Sequence, residues 1–223
     1  MTSHHPSDAL LLDYASGGAS QSVSLLVATH LALCPICRQK VSEMETLGGA
    51  LMENETTHSP LGDISASLKA RLMDRLDEPE PIDDTPANEE PILMPEVASL
   101  PQPLRGYCAE QIQNDAWRWY GFGIKKIPLL KDRENFDCYL LSIKGGSKVP
   151  THDHRGDEWT LVLSGGFTDR SGHFLRGDVA EQQQDDVHQP IADPGEPCVC
   201  LIVAQDLVKL TGALGRFLNP LIR

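Results

Sequence analysis

Two thiols and an imidazole stand close together near the start of the chain, in the run His30-Leu-Ala-Leu-Cys34-Pro-Ile-Cys37. Their spacing of i, i+4 and i+7 places the three side chains on one face of a helix or its first turn. They supply three of the four donors that a tetrahedral zinc ion requires, and His4 and His5 are the nearest sources of the fourth. The pattern predicts a structural zinc site. The alternative is a pair of free cysteines beside an ordinary surface histidine.

A second group of candidate metal ligands lies in the C-terminal half, in the run His152-x-His154-x3-Glu158. The two histidines would point to the same face of a strand, because successive side chains alternate between faces. His188 lies farther along the chain, near another β-type segment. Imidazoles and a carboxylate suit a divalent metal, with zinc as the first choice and Fe, Ni or Mn as alternatives. The other interpretation is a histidine-rich surface turn.

The residues around the first cluster have the periodicity of helices. Ser7 can cap a first helix, apolar residues continue through 23–33 and 37–52, and Asp63 can cap a fourth segment. No strand pattern appears in residues 1–76, which are predicted to form a small all-α domain of four helices. Leucines recur every four residues on the fourth helix, where they suit either a bundle core or a partner-binding stripe: Leu68, Leu72 and Leu76.

Residues 77–103 differ sharply from both flanking segments. They contain seven of the 16 prolines and eight acidic residues, with no Lys or Arg. Such a segment cannot bury a core, so it is predicted to be an extended acidic linker. From Leu104 onward the pattern becomes β-like, with short apolar runs at 137–143, 159–163 and 198–204. Residues 104–223 are therefore predicted to form a β-barrel or jelly roll.

The bulk composition excludes several classes of function. The formal charge of -13 repels phosphate groups, so direct binding to nucleic acid is not expected. The N-terminus lacks the apolar region of a signal peptide, and no apolar run reaches the ~20 residues that a membrane helix needs. A cytoplasmic protein with no membrane contact is expected, and its six cysteines are interpreted as thiols or metal ligands.

Cys198 and Cys200 lie on one face of a predicted strand. They could form an oxidant-sensitive pair near the second metal site. A disulfide between residues two apart is strained, and buried cysteine is common as a small apolar residue, so packing is the favoured interpretation.

Residues 4–76 resemble the zinc-binding anti-sigma domain family. The resemblance rests on His5 followed by His30-x3-Cys34-x2-Cys37 within a set of helices. It implies that His5 is the fourth zinc ligand, with His4 as the fallback. It also implies a protein that binds an extracytoplasmic-function (ECF) sigma factor and holds it inactive.

The C-terminal segment resembles the cupin family. Gly146 and Gly165 flank His152, His154 and Glu158 at every spacing of the first cupin motif. The second motif is degenerate, because Gln183 and Asp185 replace its Pro and Gly, although His188 keeps its distance from Gly177. The resemblance implies that the two histidines, Glu158 and His188 bind the cupin metal.

The order of the two units resembles the ChrR-type anti-sigma factors of photo-oxidative stress systems. The resemblance implies that the helical unit inhibits an ECF sigma factor and that the cupin senses singlet oxygen or related oxidants. In this interpretation the chain is not an enzyme. The rival hypothesis is a metal-dependent cupin enzyme, such as a dioxygenase or isomerase, with the helices as an accessory.

Overall fold

A computed structural model describes residues 2–56, 66–76, 99–114, 116–153, 156–184, 186–205 and 209–210. The N-terminal segment is helical, as predicted, with α1 (Asp8–Ala15), α2 (Gln21–Leu33), α3 (Pro35–Thr56) and α4 (Ala66–Leu76). Ser7 caps α1 by accepting a hydrogen bond from the backbone N–H of Leu10. The predicted cap Asp63 lies outside the described residues, and a single bundle of four helices stays a prediction.

A fifth helix, α5 (Gln102–Gln113), corrects the expectation that β structure begins at Leu104. It begins inside the predicted linker because proline is tolerated in the first turn of a helix, and Pro103 stands there. Leu104 and Cys108 are fully buried one turn apart, and α5 packs against α2 and β2. None of the described helices is long and apolar enough to cross a membrane.

The C-terminal half consists of short β-strands, as predicted, and they pair antiparallel. A six-stranded sheet has the order β1-β2-β3-β10-β5-β8, a three-stranded sheet the order β7-β6-β9, and β4 pairs with β11. The strands are β1 (Arg118–Gly121), β2 (Ile124–Lys131), β3 (Phe136–Ile143), β4 (His152–Asp153), β5 (Glu158–Ser164), β6 (Gly166–Asp169), β7 (Gly172–Leu175), β8 (Val179–Gln182), β9 (Ile191–Ala192), β10 (Cys198–Gln205) and β11 (Lys209–Leu210).

Both faces of the six-stranded sheet are buried. On β10, Leu201 and Val203 face a core shared with the helices, whereas Cys200 and Ile202 face the second sheet. Because both faces are buried, the sequence of β10 is a nearly continuous apolar run and does not alternate between apolar and polar residues. The inner face borders a cavity, and the outer face is covered by α2 and α5.

The helices are also fixed to the barrel by a carboxylate. Asp132, in the β2–β3 turn, accepts hydrogen bonds from the backbone N–H groups of Phe136 and of Ser22 at the start of α2. A negative charge is stabilising there, because the first N–H groups of a helix lack partners. Burial acts to raise the pKa of Asp132, but hydrogen bonds from Ser20, Phe136 and Ser22 outweigh it and leave the pKa below its ordinary value.

We expect Asp132→Asn to lower the free energy of unfolding by about 1 kcal/mol at pH 7, the usual size of a helix-capping contribution. The lowered pKa means that this contribution is present above the unfolded-state pKa of about 4 and is lost as the pH falls through the folded-state pKa. The variant and the wild type should therefore converge in urea unfolding at low pH. Glu134→Gln, an exposed change in the same turn, is the control and should leave stability unchanged.

Candidate metal centres

The structure brings four predicted ligands together at the junction of α2 and α3. The ligand atoms of His5, His30, Cys34 and Cys37 all lie within 4.8 Å of one another. Nδ1 of His5 is 3.4 Å from each of the two thiol sulfurs. Around a tetrahedral zinc ion, a sulfur and a nitrogen are separated by about 3.5 Å, given the usual bond lengths. The geometry of this group, the thiol cluster, therefore suits a metal ion.

The hydrogen bonds of His30 provide an independent test of that fit. Its Nδ1 lies 2.8 Å from the carbonyl oxygen of Gly177, which can only accept, so Nδ1 carries the proton. Nε2 is then unprotonated and carries a lone pair, and it is buried without a hydrogen-bond partner among the described residues. Buried polar atoms are rarely left unsatisfied. A metal ion at the thiol cluster would satisfy this atom, and Gly177 would orient the ligand from behind.

The two thiols differ in acidity. Burial acts to raise the pKa of Cys34, but hydrogen bonds from Thr2 and from the backbone of Cys37 and Ile36 outweigh it, so the pKa lies below its ordinary value. Burial and the neighbouring Cys34 raise the pKa of Cys37 to about 12. Two neighbouring sulfurs without a cation differ in this way because a charge on one opposes ionisation of the other. A bound zinc ion would hold both as thiolates.

A second group of ligand atoms lies within the barrel. The atoms of His152, Glu158 and His188, all buried, lie within 4.8 Å of one another. We call these three residues the cupin triad. His154, the other predicted ligand of this site, lies outside the described residues.

The imidazoles of the cupin triad are held by acceptors behind them. Nδ1 of His152 donates to the carbonyl oxygen of Pro150 at 2.8 Å, and Nδ1 of His188 donates to Asp169 at 3.0 Å. In the neutral rings both Nε2 atoms therefore carry lone pairs, yet these two nitrogen atoms lie only 2.8 Å apart. Two facing lone pairs need a proton or a cation between them, and adjacent ligands of an octahedral ion at ~2.1 Å are about 3 Å apart. The triad therefore also suits a divalent metal.

Burial controls the protonation of the triad. It lowers the pKa of His152 to about 4, with the nearby His188 adding to the effect, and it raises the pKa of Glu158 to about 7. Burial acts to raise the pKa of Asp169 as well, but hydrogen bonds from His188 and Ser171 bring it down to about 2. Asp169 is thus ionised at neutral pH and accepts the Nδ1 proton of His188. A carboxylate that orients a metal-binding histidine in this way is common in metal sites.

The triad opens into a cavity of about 290 Å³ between the two sheets. Most of its wall is aliphatic or aromatic, and the two exposed aromatic rings at its rim belong to Tyr120 and Phe122. Its polar wall residues, apart from the triad, are Lys126, Asp137, Thr160 and Gln182. A mostly apolar cavity with a few convergent polar groups is typical of a small-molecule site.

The thiol cluster and the barrel touch directly through one turn. The N-terminal arm, residues 2–5, lies over the β7–β8 turn, where buried Asp178 accepts hydrogen bonds from the backbone N–H groups of Ser3 and His4 at 2.6 and 3.1 Å. Gly177 has a φ of +94°, and a Cβ there would collide with Thr2. The same turn thus holds the arm that carries His5 and orients His30, and β8 leads from it to the cavity wall at Gln182.

Of the cysteine pair Cys198 and Cys200, Cys200 lines the cavity. The sulfurs of Cys198 and Cys200 are 3.6 Å apart and both residues are buried. The hydrogen bond with Cys198 and burial raise the pKa of Cys200 well above its ordinary value. These contacts favour the packing interpretation, because a thiol that stays protonated is a poor nucleophile.

The sequence predicted no role in these sites for Lys126, Asp169 or Asp178. It indicated Gly177 only as part of the second cupin motif. The sequence Gly-Asp at 177–178 is a turn signal, but nothing in it indicates that the N-terminal arm would bind there. Asp169 and Lys126 are residue types that usually lie on the surface, and only the pairing of the strands turns them toward the interior.

Comparison with known proteins identifies the family. Residues 108–208 match the family model described as the ChrR cupin-like domain. The chain is 37% identical to the anti-sigma-E factor ChrR of Cereibacter sphaeroides, over 99% of this chain and 98% of that protein. The chain belongs to the ChrR family. The resemblance to ChrR-type anti-sigma factors predicted from the sequence is thereby confirmed.

Solved structures agree with membership of the ChrR family. The fold matches the crystal structure of Rhodobacter sphaeroides SigE in complex with the anti-sigma ChrR, with a TM-score of 0.75 and 36% identity over 92% of this chain and 100% of that chain. An acetylacetone dioxygenase from Acinetobacter johnsonii is more distant, with a TM-score of 0.41 and 11% identity over 46% of this chain and 76% of that one. A likeness of that degree carries no argument about chemistry.

Proposed function

We propose that this chain is an anti-sigma factor that binds an ECF sigma factor and holds it inactive. The proposal is supported by the ChrR relative, whose solved structure is a complex with SigE. The observation that carries it within this chain is the apolar surface of α4, which combines large exposed side chains with an amphipathic sequence. A partner protein would bury that surface.

The exposed face of α4 has the properties of a binding surface. Leu72, Met73 and Leu76 are 53%, 54% and 77% exposed, respectively. Three of the 11 residues of the helix are basic. An amphipathic helix that offers apolar side chains at i and i+4 is one of the recurring ways in which proteins dock into a groove.

A second apolar surface lies on the C-terminal half of α3. Leu47, Leu51 and Met52 are 63%, 59% and 71% exposed. Exposed apolar residues that cluster, rather than occurring singly, mark interaction sites. We assign both surfaces to the sigma factor, and we assign the thiol cluster the task of holding the N-terminal arm, α2 and α3 in the arrangement that presents them.

The ligands for the structural zinc in this proposal are His5, His30, Cys34 and Cys37. Zinc suits the set because its two sulfur and two nitrogen donors are those of structural zinc sites. The ion would neutralise two buried thiolates and tie the arm to the junction of α2 and α3. Such a metal would add stability to the segments that it ties together.

Replacing Leu72 by Asp should weaken sigma-factor binding by at least about 30-fold, since central apolar anchors contribute ~2 kcal/mol or more. Because Leu72 is exposed, the free chain should keep its thermal stability. Ala70→Asp adds the same charge to the opposite side of the same helix and is the matched control. Dissociation constants from isothermal titration with the purified sigma factor test the proposal; equal loss of affinity in both variants would contradict it.

We further propose that the cupin senses oxidative stress of the singlet-oxygen type and releases the sigma factor. Two features support this role. The cavity places the cupin triad where a small molecule can reach it. The turn at Gly177 and Asp178 links the barrel to the thiol cluster. A change in the cavity that moves β8 would act on His30 and on the N-terminal arm at once. The metal at the triad would be held by His152, Glu158 and His188, with His154 as a further ligand.

A metal-dependent enzyme remains the second hypothesis, because the cavity beside the triad could hold a substrate. The two roles differ in whether the bound molecule changes. Mass spectrometry of a small-molecule extract incubated with the metal-loaded chain, and with the His152→Ala, Glu158→Ala variant, separates them. A new mass that forms only with the intact triad would support the enzyme.

A further inference from the structure

One cation, Lys126, lines the mostly apolar cavity beside two aromatic rings. Lys126 extends from β2 into the cavity, with its ammonium 3.5 Å from the ring centroid of Tyr139 and 5.6 Å from that of Tyr120. Among the residues that the structure describes, no carboxylate forms an ion pair with it. Asp137, which lines the same cavity, pairs with Lys131 instead, and Glu158 belongs to the cupin triad.

An ammonium in this position is costly to the protein. Its side chain is half-buried among aromatic rings, and burial lowers the pKa of Lys126 against the raising influence of Asp137 and Glu158. A lysine whose only role was to keep the surface soluble would reach outward, as Lys125 next to it does. Lys126 reaches inward because β2 alternates its side chains between the two faces. An incoming anion would offset the cost.

We infer that the cavity binds a small organic monocarboxylate, with its carboxylate on Lys126 and its apolar body against the cavity wall. Lys126 supplies the positive charge for the carboxylate, since Asp137 in the same wall pairs with Lys131 and Glu158 groups with the two histidines of the triad. The aliphatic and aromatic wall matches a hydrocarbon body. The cavity volume of about 290 Å³ accommodates roughly ten non-hydrogen atoms at ~30 Å³ each. This inference deepens the proposed sensing function, since it names the class of molecule that would occupy the sensing site.

The probe for this site is octanoate, which has the required charge and size. Isothermal titration of the full chain is expected to show octanoate binding at least about tenfold more tightly than 1-octanol, because hydrogen bonds to charged groups are the stronger ones. Lys126→Met, which removes the charge and keeps the volume, should weaken octanoate binding by about tenfold and leave octanol unchanged. Lys126→Arg should restore most of the affinity for octanoate.

Lys125→Met is the matched control, because it removes the same charge from the outward side of the same strand. It should bind octanoate as the wild type does. No detectable binding, equal binding of octanoate and octanol, or equal effects of the two methionine variants would overturn the inference. The titration contains neither sigma factor nor oxidant, so its failure would leave the proposed anti-sigma function standing, and loss of sigma binding would leave the ligand site standing.

Discussion

A chain carrying Cys37→Ala is expected to lose the metal of the thiol cluster and to unfold its N-terminal helices at a much lower temperature. The metal would connect the N-terminal arm, α2 and α3 at the point where α2 ends and α3 begins. Structural zinc contributes about 10–16 kcal/mol to the folding of small zinc domains, so the loss of one of four ligands should cost on the order of 5 kcal/mol or more. Metal analysis and thermal unfolding on the same sample measure both effects.

Cys108→Ala provides the control for this experiment. Cys108 is equally buried, but it lies in α5 and donates its thiol proton to the carbonyl oxygen of Leu104. Its replacement should cost about 1–2 kcal/mol and leave the metal content unchanged. A Cys37→Ala chain that kept both its metal and its stability would show that the four residues meet without binding an ion.

The second large effect concerns release. The double variant His152→Ala, Glu158→Ala is expected to bind the sigma factor normally and to retain it when illuminated with a photosensitiser that produces singlet oxygen. The variant lacks two of the three described triad ligands, whereas the thiol cluster keeps all four of its own. The wild-type chain should release the sigma factor under the same light. Size-exclusion chromatography of the complex before and after illumination gives the released fraction.

Two controls separate sensing from general damage. His173→Ala removes a half-exposed histidine that pairs with Asp193 outside the triad, and it should release the sigma factor as the wild type does. Circular dichroism of the double variant checks that the barrel still folds without two buried side chains. Normal release from a folded double variant would refute the sensing role of the triad.

The sequence predicted helices and strands well where apolar residues recur at the period of one face of the element. The cap at Ser7, the three long apolar helical segments and the strands around 137–143, 159–163 and 198–204 all follow from local periodicity. It missed α5 because Pro101 and Pro103 resemble a linker. The spacing of Leu104, Cys108 and Ile112 was the available signal for a helix.

The candidate sites were predictable only in part, for a physical reason. Metal ligands on neighbouring turns or on one strand keep short spacings, so His30, Cys34 and Cys37 can be grouped from the sequence, whereas His5 and His188 lie 25 and 30 positions from the nearest ligand of their groups. Residues that act on those ligands from elsewhere obey no spacing. The contact of Gly177 with His30 spans 147 positions, and only the packing of the helices on the barrel brings the two together.

The central claim is that this chain holds an ECF sigma factor through a metal-ordered helical unit. The most direct measurement is copurification of the tagged full chain with the ECF sigma factors of its source, with the wild type and the Cys34→Ala, Cys37→Ala variant compared side by side. We expect the wild type to retain one sigma factor in a stoichiometric, zinc-containing complex and the variant to retain none. A variant without zinc that still copurified with the sigma factor would contradict the claim.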